Sequence, residues 1–356
     1  MASYDVLIVG GGIAGASLGA EIAGQAKVLL IDSESICGYH STGRSAAFWL
    51  ESYGGPAVAR LTAASRGALE GGGLLSPRGA LHIAKRGWAE IPPGVVTRRV
   101  ERDELERMVP GIRPQWRKAL FEPGCADIDV AALHADCLAR LRRLGGEVRN
   151  DARLMSAQRR GEGWIVELED GASVEAAIIV NAAGAWADPV AQACGVAPIG
   201  IAPKRRTMVQ LRVGRGGLKS LPLVSDADGT FYFKGEGDRT LWLSPHDEIE
   251  TDPCDAAPEE IDVAVAIDRF EQVVDWPIEA VERRWAGLRS FAPDRLPVYG
   301  FDPSQPGFFW CAGQGGFGIQ TAPAAAKLAA ALLLGTVPDA TVAHIDPQPF
   351  LPDRLR

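Results

Sequence analysis

The sequence is short of cysteine, histidine and long apolar runs, and each shortage excludes a class of protein. The 6 cysteines of the 356-residue chain are scattered without a C-x-x-C pair, which predicts a reduced, cytoplasmic protein whose cysteines are small buried residues. The 5 histidines show no metal-ligand spacing, so we expect no metal site. The most apolar stretch, 324–334, is too short to span a bilayer and contains Lys327. The first apolar run leads straight into a glycine turn, so we expect no signal peptide.

Positive charge is also scarce. The chain has 37 Lys and Arg residues against 45 Asp and Glu, and its net charge of −8 gives no basic footprint for nucleic acid or an anionic membrane. Only 7 of the cations are lysine. Much of the arginine excess reflects bulk composition. Arginine nevertheless binds carboxylates bidentately where lysine does not, so individual arginines are candidates for chemistry.

The most informative segment is the first one. A buried strand at 4–9 is followed by G-x-G-x-x-G at Gly10, Gly12 and Gly15, then by a helix of small residues and a second strand that ends on Asp32. The glycines permit a tight turn, close approach of a pyrophosphate and close helix packing, and the helix N-terminus offers free N–H groups to phosphates. Asp32 is placed to accept a hydrogen bond from a ribose hydroxyl. The pattern therefore predicts a dinucleotide site.

A second G-x-G-x-x-G occurs at Gly313, Gly315 and Gly318, after a predicted strand at 308–312 and before a predicted helix at 321–334 with Pro323 in its first turn. One interpretation is a second dinucleotide site, for example for a nicotinamide. Too few residues follow for a further strand, helix and ribose-binding carboxylate. We therefore favour a glycine-rich approach to the cofactor bound by the first motif, with the helix N-terminus facing negative charge that develops on it.

The 356 residues, 47% of them apolar, suit an ordinary globular protein of two domains. Composition alternates between α/β and β-rich segments along the chain, so we expect two interleaved domains. The predicted fold class is α/β, with a Rossmann-like nucleotide-binding domain interleaved with a domain of mainly antiparallel β-sheet plus helix. The first domain is predicted to comprise 1–75, 126–202 and 287–356, and the second 76–125 and 203–286.

Several phrases of the sequence together resemble one family. They are the opening G-G-G-I-A-G and the segments 38–47, 181–186, 203–206, 285–291 and 314–321. The family is that of the FAD-dependent D-amino acid oxidases and dehydrogenases, which includes glycine and sarcosine oxidases. Within it, the likeness is greatest to the branch of bacterial D-arginine dehydrogenases. The resemblance covers most of the chain.

The resemblance implies FAD across the first domain, with its pyrophosphate on 10–15, its ribose on Asp32 and its flavin on the loops 41–47 and 315–321. A covalent flavin would need a cysteine near 287–294, where none occurs, so non-covalent FAD is expected. The implied cofactor-binding residues are Gly10, Gly12, Ile13, Ala14, Gly15, Asp32, Ser33, Ser41, Thr42, Gly43, Arg44, Ser45, Ala46, Ala47, Ala183, Gly184, Trp186, Gly315, Gly316, Phe317, Gly318, Ile319, Gln320 and Thr321.

The resemblance also implies an amino acid substrate. Arg206 and Arg289 match the family's carboxylate-binding arginines, Tyr53 and Tyr232 match tyrosines that assist them, and the Gly316 carbonyl would accept from the substrate amine. A clamped carboxylate would place the Cα–H over flavin N5 for hydride transfer. The implied product is an imino acid, which hydrolyses to a 2-oxo acid and ammonia. Two alternatives are oxidation of an N-methyl or secondary amino acid, or of a 2-hydroxy acid, on the same fold. A different class is a non-catalytic flavin-binding module.

Two positions depart from the D-arginine dehydrogenase branch. Phe48 stands where that branch has a histidine, and Ala80 where it has the glutamate that pairs with the substrate guanidinium. An unpaired buried guanidinium costs several kcal/mol, so neutral or hydrophobic D-amino acids are the expected substrates. Lys204 and Arg205 leave an acidic substrate open. The electron acceptor is expected to be oxygen or a quinone or dye, and a membrane quinone would suit a cytoplasmic protein that is free or peripheral to the inner membrane.

Overall fold

The computed structural model describes residues 2–356, which form twenty strands and seven α-helices. The strands are β1 (Ala2–Val9), β2 (Val28–Ile31), β3 (Phe48–Trp49), β4 (Leu75–Pro77), β5 (Ala80–Ala84), β6 (Arg98–Glu101), β7 (Lys118–Glu122), β8 (Ala126–Ile128), β9 (Glu147–Arg149), β10 (Leu154–Arg160), β11 (Gly163–Leu168), β12 (Ser173–Asn181), β13 (Ala202–Val213), β14 (Leu223–Asp226), β15 (Tyr232–Gly235), β16 (Thr240–Ser244), β17 (Ile249–Glu250), β18 (Ile278–Phe291), β19 (Val298–Phe301) and β20 (Phe308–Ala312). The helices are α1 (Ile13–Ile22), α2 (Gly55–Gly71), α3 (Arg102–Met108), α4 (Val130–Arg143), α5 (Ala187–Ala193), α6 (Glu260–Glu271) and α7 (Gly318–Leu334).

The first sheet joins the two ends of the chain. Its eight strands include the path β10-β11-β12-β1-β2-β9, with β20 paired to β12 and β19 paired to β20. β1, β2, β12 and β20 pair in parallel, and β2 and β20 are buried along their whole length. Helices α1, α4 and α7 cover one face through Leu18, Leu141 and Leu328. Burial on both faces explains why these strands are apolar without alternation.

The second sheet has nine strands in the order β17-β13-β16-β15-β14-β5-β7-β6, with β18 paired to β13. One face is apolar and packs Val209, Leu243 and Phe233 against Phe270 of α6. The opposite face carries the residues that alternate with these along each strand, such as Met208 next to Val209 on β13. Because side chains in a strand alternate between faces, the sheet presents an apolar face to its helices and a mixed face to the first domain.

The two sheets interleave along the chain, and the predicted α/β fold class is confirmed. The predicted boundary at 286/287 falls inside β18, which pairs with β13 from Ile278 to Phe291 without leaving the second sheet. The passage from the second sheet back to the first therefore follows Phe291. A small sheet of β3, β4 and β8 lies outside both sheets.

Helix α7 differs from its predicted start. It begins at Gly318, because the Phe317 carbonyl accepts both the Thr321 N–H at 3.1 Å and the Thr321 hydroxyl at 2.8 Å. Pro323 consequently lies inside the helix, beyond the first turn, and its predicted first-turn position is wrong. No helix within residues 2–356 combines the length and apolar character needed to cross a membrane.

Candidate active site

A cavity of about 440 Å³ lies between the carboxyl ends of the first sheet and the mixed face of the second. Most of the residues that the sequence predicted for cofactor and substrate line it, although they come from distant segments. The predicted residues that line it are Gly10, Gly12, Ile13, Ala14, Asp32, Ser33, Ser41, Thr42, Arg44, Ser45, Ala46, Ala183, Gly184, Trp186, Arg206, Tyr232, Arg289, Gly315, Gly316, Gly318 and Ile319.

Six predicted cofactor residues and Tyr53 do not line this cavity; the six support its wall instead. Gln320 donates its side-chain amide to the Tyr53 carbonyl at 3.2 Å and to Thr62 at 2.9 Å. Phe317 packs edge-on against Tyr53, at 5.3 Å between ring centroids. Gly15 packs beneath the glycine turn, the Gly43 N–H donates to the Gly38 carbonyl at 2.8 Å, and the Ala47 carbonyl accepts from the Ile128 N–H at 3.2 Å. The six are Gly15, Gly43, Ala47, Phe317, Gln320 and Thr321.

The glycine turn has the shape that a pyrophosphate requires. Gly10 has φ +108°, and a Cβ on it would lie 2.4 Å from the Ala182 carbonyl oxygen. A Cβ on Gly15 would lie 2.0 Å from the Gly10 carbonyl oxygen, so the helix approaches the turn this closely only because residue 15 is glycine. Helix α1 begins at this turn with no side-chain cap at Gly12 and no acidic residue in its first turn. The Ile13 N–H donates to the Thr42 hydroxyl at 3.0 Å. The first turn of α1 thus carries no acidic side chain of its own, and its positive end suits an anion.

Asp32 lies beside the turn at the end of β2. Its Oδ2 accepts a hydrogen bond from the Gly11 N–H at 2.7 Å, and its Oδ1 accepts from the Glu34 N–H at 2.9 Å. Burial raises the pKa of Asp32. Each oxygen retains a lone pair, so the side chain can still accept a hydroxyl from a ligand in the cavity.

His134 is a supporting residue that the sequence did not reveal. It lies on α4 and donates from Nε2 to the Gly11 carbonyl at 2.7 Å. Its ring also packs against Gly38, where a Cβ would lie 2.8 Å from it. A lone histidine on an amphipathic helix gives no sign of these contacts, because they depend on how α4 packs against the turn.

The loop 41–47 connects the two sheets. The Ser41 hydroxyl donates to the Leu288 carbonyl at 2.6 Å, and the Trp285 indole donates to the Arg44 carbonyl at 3.0 Å. The Arg44 guanidinium donates to the Ala256 carbonyl at 2.8 Å and also pairs with Asp255. This loop is therefore held to β18 at two points.

Two arginines of the second sheet face the cavity. In the ladder of β13 and β18, Arg206 lies opposite Gly287 and Arg289 lies opposite Lys204, so both guanidinium groups are on the same face. Arg206 is only 3% exposed; its Nε donates to the Asp247 carbonyl at 2.6 Å, and its buried Nη1 has no partner. Burial, and next the charge of Arg289, lower the pKa of Arg206 to about 10. Both side chains remain cationic at neutral pH.

Arg289 has no carboxylate partner within ion-pair distance in the described part of the chain. Its Nη1 donates to the Tyr53 hydroxyl at 3.1 Å. Arg206 is partly paired, since its Nη2 donates to Glu248 Oε1 at 3.3 Å. A buried guanidinium without an anion is costly, so Arg289, together with the unpartnered Nη1 of Arg206 on the same cavity wall, indicates an anionic ligand. Arg205, by contrast, is on the opposite face and pairs with Glu259 and Asp262.

A smaller cavity of about 150 Å³ continues from the first one, and Tyr232 and Arg289 line both. Tyr53 and Phe48 line the smaller cavity, whereas Ala80 is buried behind it against Leu223 and Tyr232. Its lining also includes Ser52, His82, Ser225 and His246, none of which the sequence singled out.

His246 lies at the junction of the smaller cavity with the two arginines. It has φ +54°, and its Nδ1 donates to the Gly229 carbonyl at 2.5 Å. Burial, followed by the charges of Arg206 and Arg289, lowers the pKa of His246 to about 3. The imidazole is therefore neutral at physiological pH, with Nε2 unprotonated.

A family model described as FAD dependent oxidoreductase, DAO, matches residues 5–332. Among curated proteins, "FAD-dependent oxidoreductase domain-containing protein 1" of Bos taurus is 31% identical over 45% of this chain and 36% of its own length. Glycine oxidase of Pseudomonas aeruginosa is 24% identical over 70% of this chain and 66% of its own. Human mitochondrial dimethylglycine dehydrogenase is 29% identical over 42% of this chain and 18% of its own. The chain thus spans well under half the length of the first curated relatives it matches.

Solved structures share the fold over nearly the whole chain. L-proline dehydrogenase from P. horikoshii superposes with a TM-score of 0.82 at 20% identity, covering 98% of both chains. Glycine oxidase from Geobacillus kaustophilus gives 0.81 at 20% identity, covering 99% of this chain and 98% of that one. L-alpha-glycerophosphate oxidase from Mycoplasma pneumoniae, solved with FAD bound, gives 0.81 at 16% identity, covering 94% and 95%.

Proposed function

The chain belongs to the DAO family of FAD-dependent oxidoreductases, and from that premise we propose that it oxidises a neutral D-amino acid to the imino acid. Water would then convert the imino acid to a 2-oxo acid and ammonia. The observation that carries the proposal is the pair Arg206 and Arg289: two cationic side chains on one cavity wall, one with a buried unpartnered N–H and the other without a carboxylate. A substrate carboxylate would satisfy both.

The family's cofactor is FAD, and the residues of the larger cavity fit it. The glycine turn and the N-terminus of α1 would hold the pyrophosphate, and Asp32 would accept a ribose hydroxyl. Helix α7 also begins at this cavity without an acidic residue in its first turn, so its positive end would face the flavin. Bound FAD would supply a two-electron acceptor. We propose non-covalent binding, since no cysteine of residues 2–356 lines the cavity.

The side chains around Arg289 would orient the substrate. A carboxylate between Arg206 and Arg289 could also accept the Tyr53 hydroxyl proton, because Tyr53 already accepts from Arg289 and its own proton remains free. Tyr232 lies beside both arginines, and the Gly316 carbonyl would accept from the amine. Holding one end of the substrate through several charge-assisted bonds fixes the position of its Cα.

The substrate side chain would extend into the smaller cavity. Phe48, Leu50 and Leu223 give it apolar walls, and Arg289 is its one cation among the described residues. An acidic side chain would find no positive partner beyond Arg289, since Arg205 is paired on the opposite face. A neutral side chain fits this lining better than a carboxylate.

Oxidation of a secondary amino acid is the second candidate. It is favoured by the names of two similar proteins, dimethylglycine dehydrogenase and L-proline dehydrogenase. Both candidates would use the same carboxylate site, so they differ in the substituent on the amine.

Anaerobic reduction of the FAD-loaded protein tests the proposal. A panel of D-, L- and N-methyl amino acids and 2-hydroxy acids is added in turn, and loss of flavin absorbance is followed. We expect neutral D-amino acids to bleach the flavin. Bleaching by L-isomers or hydroxy acids alone would refute the D-amino acid assignment, and a protein that takes up no FAD would refute the whole proposal. Repeating the active substrates with oxygen or a quinone identifies the electron acceptor.

A further inference from the structure

We infer that Ser225 and His82 form a specificity-determining end of the smaller cavity, which selects an amino acid whose side chain ends in a neutral hydrogen-bond donor, such as a hydroxyl or an amide. The inference rests on the proposed function and deepens it by naming the side-chain class.

The placement of these residues follows from the sheet register. Tyr232 of β15 lies opposite Ser225 of β14, and Ser225 lies beside His82 of β5. Directly paired residues share a face of a sheet, so the three form one row that leads away from Arg289 across the mixed face. All three line the smaller cavity. A substrate held by its carboxylate at Arg289 would therefore point its side chain along this row.

A fully buried carboxylate orients His82. Glu122, 1% exposed, accepts from the backbone N–H groups of Glu51 at 3.0 Å and Ser52 at 3.4 Å through Oε1. Its Oε2 lies 3.2 Å from His82 Nε2, so the imidazole donates to it. The other ring nitrogen, Nδ1, is then an acceptor and lies 3.0 Å from the Ser225 hydroxyl. Each group in the chain thus fixes the role of the next.

The Ser225 hydroxyl is therefore left as a hydrogen-bond acceptor toward the cavity. Ser225 donates to His82, which leaves the oxygen lone pairs of Ser225 as acceptors at the cavity wall. The Ser52 hydroxyl, 3.4 Å from His82 Nε2, adds a second polar group at the same end. An apolar side chain would cover these oxygens without replacing the hydrogen bonds they make with water.

The charge around this end also favours donors. Glu90 and Asp226 line the cavity here, and Glu122 stands behind His82, whereas the cationic groups are at the Arg289 end. Asp226 accepts from the Thr230 hydroxyl at 2.5 Å and from the Asp228 N–H at 3.3 Å. The end therefore suits a hydrogen-bond donor, which is a neutral group for the neutral substrates of the proposed function.

Two near-isosteric substrate pairs test the inference: D-asparagine against D-leucine, and D-threonine against D-valine. For the wild-type enzyme we expect kcat/KM to favour the polar member of each pair about tenfold or more, because covering an unpaired polar group is costly. Ser225→Ala removes the acceptor oxygen together with its hydrogen bond to His82, and should lower the polar-to-apolar ratio of kcat/KM about tenfold, chiefly through the KM of the polar substrate. Ser220→Ala, a matched change outside both cavities, should leave the ratio unchanged.

His82→Gln is the second variant, since it keeps a donor toward Glu122 and lessens the risk of misfolding. This variant should also lower the ratio of kcat/KM for the polar substrate to that for the apolar one. The inference is wrong if the wild type prefers D-leucine to D-asparagine, or if both variants lower the two members of a pair equally; the proposed function would still stand. If the FAD-loaded protein oxidises no D-amino acid at all, the proposed function itself fails.

Discussion

The hydroxyl of Tyr53 lies 3.1 Å from Arg289 Nη1, and both side chains lie directly against Gly316. A Cβ on Gly316 would lie 2.2 Å from the Tyr53 oxygen and 3.2 Å from Arg289 Nη1. A tyrosine from the first domain, an arginine from the second sheet and the glycine loop before α7 therefore meet at one point.

Gly316→Ala should displace this contact. Because the added methyl cannot fit against the Tyr53 hydroxyl, we expect kcat/KM to fall about 100-fold, the effect of a shift near 1 Å in a bound substrate. The measurement is steady-state kinetics with the best substrate. Gly67→Ala in α2 is the control, because a Cβ there meets nothing within 4 Å. It should raise stability by roughly 0.5–1 kcal/mol and leave the kinetics unchanged. Equal kinetics for Gly316→Ala and wild type would contradict the contact.

Arg289→Met should weaken substrate binding. Loss of a buried charged partner typically costs 2–5 kcal/mol, so kcat/KM should fall about 30- to 5000-fold, with most of the loss in KM. Arg205→Met, on the opposite face of β13, breaks the pairs with Glu259 and Asp262 instead. It should lower Tm and leave KM unchanged. If the two variants raise KM alike, the assignment of Arg289 to the carboxylate fails.

Asp32→Ala should weaken the binding of FAD. Losing an acceptor for a ribose hydroxyl, and the bond to the Gly11 N–H, should raise the Kd of FAD about 10- to 100-fold. Titration of the apoprotein by flavin fluorescence measures it. Asp5→Ala removes a comparable bond, to the Lys27 N–H at 2.7 Å, but at the opposite end of the sheet. An FAD affinity that falls as much in the Asp5 variant would show a general loss of stability.

His246 should make stability depend on pH. Its pKa of about 3 in the folded protein lies below the ordinary value of 6.5, so between these values the unfolded chain binds a proton that the folded protein does not. The contribution is fully present above pH 6.5 and is lost as pH falls toward 3, at no more than ~1.4 kcal/mol per pH unit.

His246→Asn removes this titration and tolerates the positive φ at the site. Denaturant unfolding from pH 7 to pH 4 should give a shallower loss of stability for the variant than for the wild type. Parallel curves for the two proteins would show that His246 is not buried as the structure has it.

Local pattern accounts for how Gly10 and Asp32 come to line the same cavity. Gly10 and Asp32 fall within one strand, turn, helix and strand, so their proximity follows from the chain itself. The choice between Arg205 and Arg206 is different, because neighbouring residues of a strand point to opposite faces. The resemblance to the family is what singled out Arg206 for the carboxylate site. The register of β13 places Arg206 on the face toward the cavity and Arg205 on the opposite face.

The lining of the smaller cavity could not be predicted from the sequence. His82 and Ser225 meet because β5 pairs with β14, and nothing near either residue encodes that pairing. The same holds for Glu122, which reads as an ordinary charge in a short strand and is in fact fully buried. Long-range sheet order, more than local propensity, decides these contacts.

The continuity of β18 has a mechanical consequence. Trp285 and Leu288 hold the loop that would carry the flavin, and Arg289 follows on the same strand. The flavin loop and the substrate site would then both be attached to one short segment of β18, which is held in place by its pairing with β13. If the two sheets move relative to each other during turnover, both attachment points move together. The distance between the substrate, which gives the hydride, and the flavin, which accepts it, would then stay constant.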